Sequence, residues 1–550
     1  MDRRIGLLFA TFLGLLAVAT VRTAYLGAFQ GNRLRLAAAT QQVTTVTLPA
    51  PRGAIVDRRG VELAVSEPAD DLAANPRLVR DPGATAAQIA PLVGQPVDAL
   101  ALQLGQRSHG FVYLARQVPA DRADAVQSLH VAGLTLIPVS RRAYPRGALA
   151  SQVLGTVGID GTGLAGVEYA HDRQLSGAAG QRRVTSDAIG QPIAVRDSTP
   201  VRPGQDVGLT LDSVIQTRVE DVLAQVGRVY RPHNASAIVM DPRTGEVMAM
   251  ANWPRVDANN VAGAPPSAHL NRAVGYNYEP GSTFKAFTVA GALEDGLVTP
   301  QTSFTLAPQI QVADRTIGEA ESRGTEAFTT AQILARSSNV GAITIGQRLG
   351  RARFDHWVRT FGFGSPTGID LPGEERGQVL SLPRYSGSSM GNLPIGQGES
   401  VTPMQIAAAY SAIANGGVLR PPHVIASVGG RPLPQRPGHR VISDTVAGEL
   451  RNMLKGVFAP GGTASEVAIP GYELAGKTGT ANKVDSHTGL YSTSDYIASF
   501  VGFAPARDPK LLVAVEVDQP QGAIYGGVVA APAFGQIMSF ALPYLRIPPS

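Results

Sequence analysis

Residues 5–21 carry no charge, and past Arg22 the apolar character resumes through Ala24, Tyr25, Leu26 and Phe29. A helix over this segment has the length to cross a bilayer, so the chain is expected to fold as a large water-soluble body tethered by one span. Arg3 and Arg4 precede the segment and only Arg22 stands at its far edge, which puts the short N-terminus in the cytoplasm. Residues 1–29 thus read as a cytoplasmic tail and transmembrane anchor, a single pass in the cell membrane with the bulk of the chain extracytoplasmic. A cleaved signal peptide is the competing reading. Against it, the apolar stretch exceeds an ordinary signal core and no clean Ala-x-Ala site closes it.

Beyond the anchor the chain has to fold in water, and 550 residues are too many for one compact core, so two or more domains are expected. A hydrophobic fraction of 44%, a charged fraction of 17% and a mean hydropathy of +0.03 describe a globular body. The net charge of +5 is small for this length and the arginines are scattered, which disfavours nucleic acid as a partner. The absence of cysteine excludes disulfides, thiolate metal sites and a cysteine nucleophile. No HExxH helix or comparable ligand cluster is found, so neither metal nor cofactor is expected.

Residues 30–204 alternate short β-like stretches, such as 42–48, with turns such as Asp81-Pro82-Gly83 and a predicted helix over 85–93. The Pro-, Gly- and polar-rich stretch 198–206 reads as a boundary, giving one domain over 30–204 and a second over 205–550. The second opens with Asp212 as N-cap of a helix over 213–227, whose apolar face is expected to carry Val214, Val219, Val222 and Leu223. A hairpin comes next, 237–240 and 246–250 around Asp241-Pro242-Arg243-Thr244-Gly245, and a second strand pair, 499–504 and 511–517, lies near the C-terminus. Strands at both ends with helices between imply a layered α+β or α/β fold.

Only five of the 48 basic residues are lysines, and two of these, Lys285 and Lys477, fall in Ser282-Thr283-Phe284-Lys285 and Lys477-Thr478-Gly479-Thr480. An ammonium, unlike a guanidinium, loses its proton when desolvated or set beside another cation, and can then act as a base. Pro280-Gly281 breaks the chain ahead of the apolar run 286–293, so Ser282 is expected near a helix N-terminus. One helical turn then brings the Lys285 amine within reach of its hydroxyl. Alone, Ser-x-x-Lys is a common four-residue match whose ordinary reading is an exposed helix face. Ser337-Ser338-Asn339, at the end of a predicted helix from about 329, reads equally well as a helix-to-loop transition. The run 474–481 reads otherwise as an exposed strand with a glycine bulge. Together, in this order, the three match the penicillin-binding protein and serine β-lactamase signature, with Ser338 where class A β-lactamases carry Asp.

The chain resembles the class B penicillin-binding proteins, monofunctional peptidoglycan D,D-transpeptidases, over nearly its whole length. Arg52-Gly53-Ala54-Ile55-Val56-Asp57-Arg58-Arg59-Gly60 looks like the first pedestal motif of that family, with Arg59 in place of a common Asn. Gly166-Val167-Glu168, Gly396-Gln397-Gly398 and Thr402-Pro403-Met404-Gln405 also look familial. The resemblance implies an α+β transpeptidase domain of the serine β-lactamase-like kind, with a central antiparallel sheet and helices, after an elongated, mainly β pedestal and one transmembrane helix.

By the same resemblance Ser282 is the nucleophile, Lys285 its base, Ser337 the proton shuttle and Asn339 a hydrogen-bonding partner of substrate and Lys285. Lys477 is the cationic neighbour that helps keep Lys285 neutral. Thr478 and Thr480 meet the substrate carboxylate, Gly479 completes the binding strand, and the N–H groups of Ser282 and Thr480 hold the oxyanion. The implied partners are peptidoglycan stem peptides, β-lactams, and a SEDS-type, FtsW-like glycosyltransferase with other divisome membrane proteins. Segments such as Tyr278-Glu279-Pro280-Gly281, Phe361-Gly362-Phe363-Gly364 and Tyr525-Gly526-Gly527 look most like the septal, FtsI-like group. An elongation enzyme of the same class and a penicillin-binding sensor or division scaffold are the alternatives. A β-lactamase is a weaker one.

Overall fold

The computed structural model describes residues 2–30, 43–186, 192–485 and 488–549. Met1 and Gln42, which belong to the expected anchor and first β-like stretch, lie outside these. The N-terminal helix Asp2–Tyr25 continues in a π-turn over Leu26–Gln30. Its 24 residues give about 36 Å of helix, enough to span the ~30 Å hydrocarbon core of a bilayer. Leu7, Leu8, Phe9, Phe12, Leu15 and Val18 are all exposed, and residues 5–28 have a mean hydropathy of 2.0. A helix apolar on every side and exposed along its length among the described residues fits a single-pass membrane anchor.

The chain divides into two compact units, and they are interleaved. One comprises Met1–Arg52, Glu67–Arg141 and Ser176–Gly204, the other Gly53–Ser66, Arg142–Leu175 and Gln205–Ser550. In the first, the strand ending at Ala74 pairs antiparallel with Val112–Pro119, and helices Pro82–Val93, Val97–Gly105 and Ala120–Ser128 supply its core, including Ile89, Leu100, Leu104 and Val126. Asp81 caps the first of these helices by accepting from Ala84 N at 3.0 Å, so the helix starts at Pro82, ahead of residue 85. A three-stranded antiparallel sheet joins Val43–Leu48, Gly180–Ser186 and Pro192–Thr199.

Segments 53–66 and 142–175 belong to the second unit for identifiable reasons. Asp57 accepts from Arg59 N and Val61 N within its own turn, while its other oxygen accepts from Ser213 N at 3.1 Å. Arg142, whose side chain is only 3% exposed, pairs with Glu168 at 2.6 Å and donates to Gly53 O at 2.8 Å. Arg59, where the family commonly has Asn, reaches Asp212 at 3.3 Å and lies over the Tyr544 ring.

The second unit is built on a five-stranded antiparallel sheet. Its strands are β1 (Asn234–Met240), β2 (Val247–Trp253), β3 (Ala475–Val484), β4 (Tyr491–Ala504) and β5 (Leu511–Asp518), in the order β2-β1-β5-β4-β3. Its helices include α1 (Ser213–Tyr230), α2 (Lys285–Glu294), α3 (Thr330–Ala335), α4 (Asn339–Leu349) and α5 (Gly526–Tyr544). Alternation along the strands feeds two cores. Ala235, Ala237, Val239, Val513, Val515 and Val517 pack with α1 and α5, whereas Ile238, Met240, Leu512 and Ala514 join the core that holds α2 and α4. Both faces are covered, giving three layers with β3 at an edge.

Helix α1 is capped as expected: Asp212 accepts from Val214 N and Ile215 N. Its buried face is Ile215, Val219, Val222, Leu223 and Val226, and Val214 is exposed. Spacings of four, three, one and three residues keep that set on one stripe, and Val214, one residue ahead of Ile215, is turned about 100° away. The expected apolar face was one position out at its first member. Helix α5 passes the same length and hydropathy test as the N-terminal helix, but Val529, Phe534, Ile537, Met538 and Leu542 are buried in a core, so it is a structural helix of this unit.

Beneath the start of α2 lies an aromatic cluster. The Phe287 ring meets Phe284, Phe361, Phe363 and Tyr410 at centroid distances of 4.9–5.4 Å, and Tyr410 donates to Thr283 O at 2.7 Å. Phe287→Ala removes the centre of this cluster and is expected to destabilise the unit by about 3–5 kcal/mol, read as a lowered urea midpoint.

Candidate active site

The three short motifs converge at one end of α2. Gly281–Phe284 forms a single 3-10 turn that runs directly into α2, so half-buried Ser282 precedes the helix by a few residues and Lys285 is its first residue. Gly281 has φ +54, and a Cβ there would stand 3.1 Å from Thr480 O and from the Ala481 side chain. Only glycine fits both the left-handed turn and the strand that passes over it. At Gly479 a Cβ would come within 3.0 Å of Pro280 O and 2.2 Å of Ser499 Oγ, so β3 can lie against the nucleophile turn only without a side chain there.

Ser337-Ser338-Asn339 is the joint between two helices. Ser337 takes φ +59, which ends α3, and Ser338 caps α4 by accepting from Gly341 N at 2.9 Å. A left-handed serine costs of order 1 kcal/mol and is held here by the helices on either side. It turns its carbonyl to Lys285, whose Nζ donates to Ser337 O at 2.6 Å, Ser337 Oγ at 3.3 Å and Asn339 Oδ1 at 2.7 Å. Asn339 Nδ2 donates to Gly318 O at 3.0 Å, which fixes the amide with its oxygen toward the amine. The expected reach from Lys285 to Ser282 is not realised as a hydrogen bond among the described residues. The amine is turned to the second motif.

Lys477 comes from the opposite side, on β3. Like Lys285 it has no exposed surface, but among the described residues its Nζ donates only to Thr478 O at 3.3 Å and Thr478 Oγ1 at 3.5 Å. Thr478 and Thr480 share the other face of the strand. Thr478 Oγ1 lies 2.8 Å from Thr463 Oγ1, and Thr480 Oγ1 accepts from Gly526 N at 3.0 Å, which leaves its O–H free to donate.

Residues 235–539 match the family described as the penicillin binding protein transpeptidase domain, and residues 47–209 match the penicillin-binding protein dimerisation domain. The chain belongs to the class B penicillin-binding proteins. Stage V sporulation protein D of Bacillus subtilis is 34% identical over 559 residues, covering 99% of this chain and 86% of the relative. Peptidoglycan D,D-transpeptidase FtsI of Escherichia coli is 34% identical over 516 residues, covering 92% and 85%. The crystal structure of penicillin binding protein 3 from Mycobacterium tuberculosis in complex with ampicillin matches with a TM-score of 0.73 at 31% identity, over 92% of this chain and 97% of that one.

The electrostatics of this penicillin-binding protein's site follow from burial. Burial draws Lys285 down to about 7, against the pull of Glu319, which favours its charge. Burial, and then the charge of Lys285, hold Lys477 far below the ordinary lysine value. Two buried amines in one site disfavour each other's charge. Lys285 has the better acceptors for an ammonium. Burial and the charge of Lys285 thus act against the cationic role expected of Lys477, so that role would depend on a negative charge brought to it.

Glu319 carries no signal in the sequence that marks it as part of this site. Its carboxylate accepts from Ser338 Oγ at 2.6 Å, Asn339 N at 2.7 Å and Val340 N at 3.2 Å, and pairs with Arg323. Burial pushes that carboxyl up, but the bonds from Ser338, Arg323 and Asn339 N outweigh it and hold the group below its ordinary value. A carboxylate on the first N–H groups of α4 is favoured by the helix dipole as well. Thr463 is a second such residue, known only through its contact with Thr478.

Two outcomes are expected. If Lys285 takes the Ser282 proton, the rate at which a β-lactam acylates the protein should rise with pH through about 7, where burial brings its amine to neutrality, and level off above it; a profile flat from pH 6 to 8 would contradict that role. Glu319→Ala should cost about 1–3 kcal/mol of stability in a denaturant titration and slow acylation, since buried N–H groups lose their acceptor and Asn339 its footing.

Proposed function

We propose that the chain is a serine D-Ala-D-Ala transpeptidase that crosslinks peptidoglycan stem peptides at the septum. The observation that carries this is the buried Lys285 amine, one turn from Ser282, held by Ser337 and Asn339 and able to be neutral near pH 7, with its charge felt by Lys477 across the site. Ser282 Oγ attacks the carbonyl carbon between the two D-alanines while neutral Lys285 takes its proton. The oxyanion is held by the N–H groups of Ser282 and Thr480, worth roughly 3 kcal/mol of barrier per donor. The proton passes by way of Ser337 to the departing amine, D-Ala leaves, and an ester remains on Ser282. The amine of a second stem peptide then attacks that ester, and the site returns the proton to Ser282.

The terminal carboxylate of the donor meets the Thr480 hydroxyl and Lys477. Its negative charge raises the affinity of Lys477 for a proton and so makes Lys285 the easier amine to deprotonate. Substrate binding thereby prepares the base. Of the two Thr-Gly-Thr hydroxyls Thr480 is the better placed, because Thr478 is buried against Thr463.

The septal role is supported by the resemblance of the segments around Tyr278 and Tyr525 and by the FtsI relative. It implies a membrane-embedded SEDS-type polymerase as partner, with the N-terminal helix as anchor. Purified protein should form a fluorescent-penicillin adduct that Ser282→Ala abolishes. In cells depleted of their septal enzyme, the wild type should restore septa and Ser282→Ala should not. Septation by the serine-less variant would favour a scaffold instead.

A further inference from the structure

Beside the catalytic cluster, and not part of it, is a cavity of about 660 Å³. Its walls are segment 276–279, which leads into the nucleophile turn, the turn 398–400, and the tail of β3 over 481–484. The cavity therefore begins one residue past Thr480 on one side and three residues before Ser282 on the other. Glu399 lines it with 2% of its surface exposed, and neither of its carboxyl oxygens has a hydrogen-bond partner among the described residues. Glu279 stands next to it, held by Gly398 N at 3.0 Å and by Tyr491 OH at 3.0 Å. Asn277 Oδ1 on the same wall is also buried without a donor.

These oxygens outnumber the donors that reach them, which is a costly arrangement in an apolar interior. The cations that share the wall do not relieve it. Lys483 is bound to Asp518 at 2.6 Å, and Arg384 is exposed. Burial, and then the charge of Glu279, push the Glu399 carboxyl well above its ordinary value, and burial raises Glu279 too. A group with three N–H donors and a positive charge matches the unpartnered oxygens in number and sign.

We propose that this cavity is a subsite for a primary ammonium group of the peptide substrate, received by Glu399 and Glu279. The inference rests on the acyl-transfer reading of the site. A peptide laid along the open edge of β3 advances about 3.3 Å per residue with side chains alternating in direction. A donor acylated on Ser282 thus passes the cavity within two or three residues. The ammonium has two possible sources, the side chain of the donor peptide or the amine of the incoming acceptor, and the two respond differently to experiment.

The test uses the full chain in detergent with a D-Ala-D-Ala peptide carrying a free side-chain amine, the same peptide with that amine acetylated, and glycine as a simple amine acceptor. Wild type should favour the free-amine donor in kcat/KM by roughly tenfold or more, and Glu399→Gln with Glu279→Gln should bring the ratio close to one. If the ammonium belongs to the acceptor, the donor ratio is near one throughout, and the KM for the acceptor amine rises about tenfold in the variant. A donor preference and an acceptor KM that are both untouched by the substitutions would overturn the proposal. Glu399→Gln alone, which keeps the shape, carries the test should the double variant melt at a lower temperature than wild type. Wild-type protein that forms no penicillin adduct would instead overturn the acyl-transfer reading.

Discussion

A primary amine without exposed surface must be given acceptors or lose its proton, and this chain buries two of them side by side. Removing an ammonium from water costs several kcal/mol even after the surroundings relax. Lys285 recovers part of that from Ser337 O and Asn339 Oδ1; Lys477, with two long contacts to Thr478 O and Oγ1, recovers little. The difference leaves Lys285 the better compensated of the two as an ammonium. It also explains why arginine could not replace Lys285: a guanidinium stays charged and would demand the acceptors permanently.

Much of the surrounding structure serves to keep those acceptors in place. The left-handed turn at Ser337 presents its carbonyl, and the bond from Asn339 Nδ2 to Gly318 O orients the amide. Glu319 holds the start of α4, and through it Asn339, while its charge favours the protonated form of Lys285. On the other side the aromatic cluster under α2 fixes the first turn, with Tyr410 bonded to Thr283 O. The resulting site is held from the core side by packing and from the Asn339 side by a carboxylate that caps a helix. A change in either would be felt at the amine.

How much of this could be read in the sequence depended on distance along the chain. Ser282 and Lys285 are related by one turn, so the start of the helix at Lys285 is a local property and was legible, although the amine itself turns to Ser337 and Asn339. The cap at Asp212 was as well. The meeting of Lys285 with Ser337, Asn339 and Lys477 crosses up to about two hundred residues and could be inferred only from family resemblance. Glu319 was invisible because nothing distinguishes a capping carboxylate brought in by a loop from an ordinary surface glutamate. The interleaving of 53–66 and 142–175 with the larger unit was also hidden: Asp57 and Arg142 act through contacts with Ser213 N and Gly53 O that leave no compositional mark. The misplaced Val214 is a smaller case, a phase error of one residue that only the packed face of α1 reveals.

The position of β3 at the sheet edge ties these elements together. An open edge presents unpaired N–H and C=O groups and is ordinarily a liability in an antiparallel sheet. Here the edge is not a flat apolar strand: Lys477, Thr478, Gly479, Thr480, Asn482 and Lys483 occupy six of its ten positions, and Gly281 packs against Thr480. Such an edge is poorly suited to pairing with a second sheet. The glycines at 281 and 479 let the turn that carries Ser282 reach the strand, so the edge is closed over by the chain's own backbone where the first and third motifs meet.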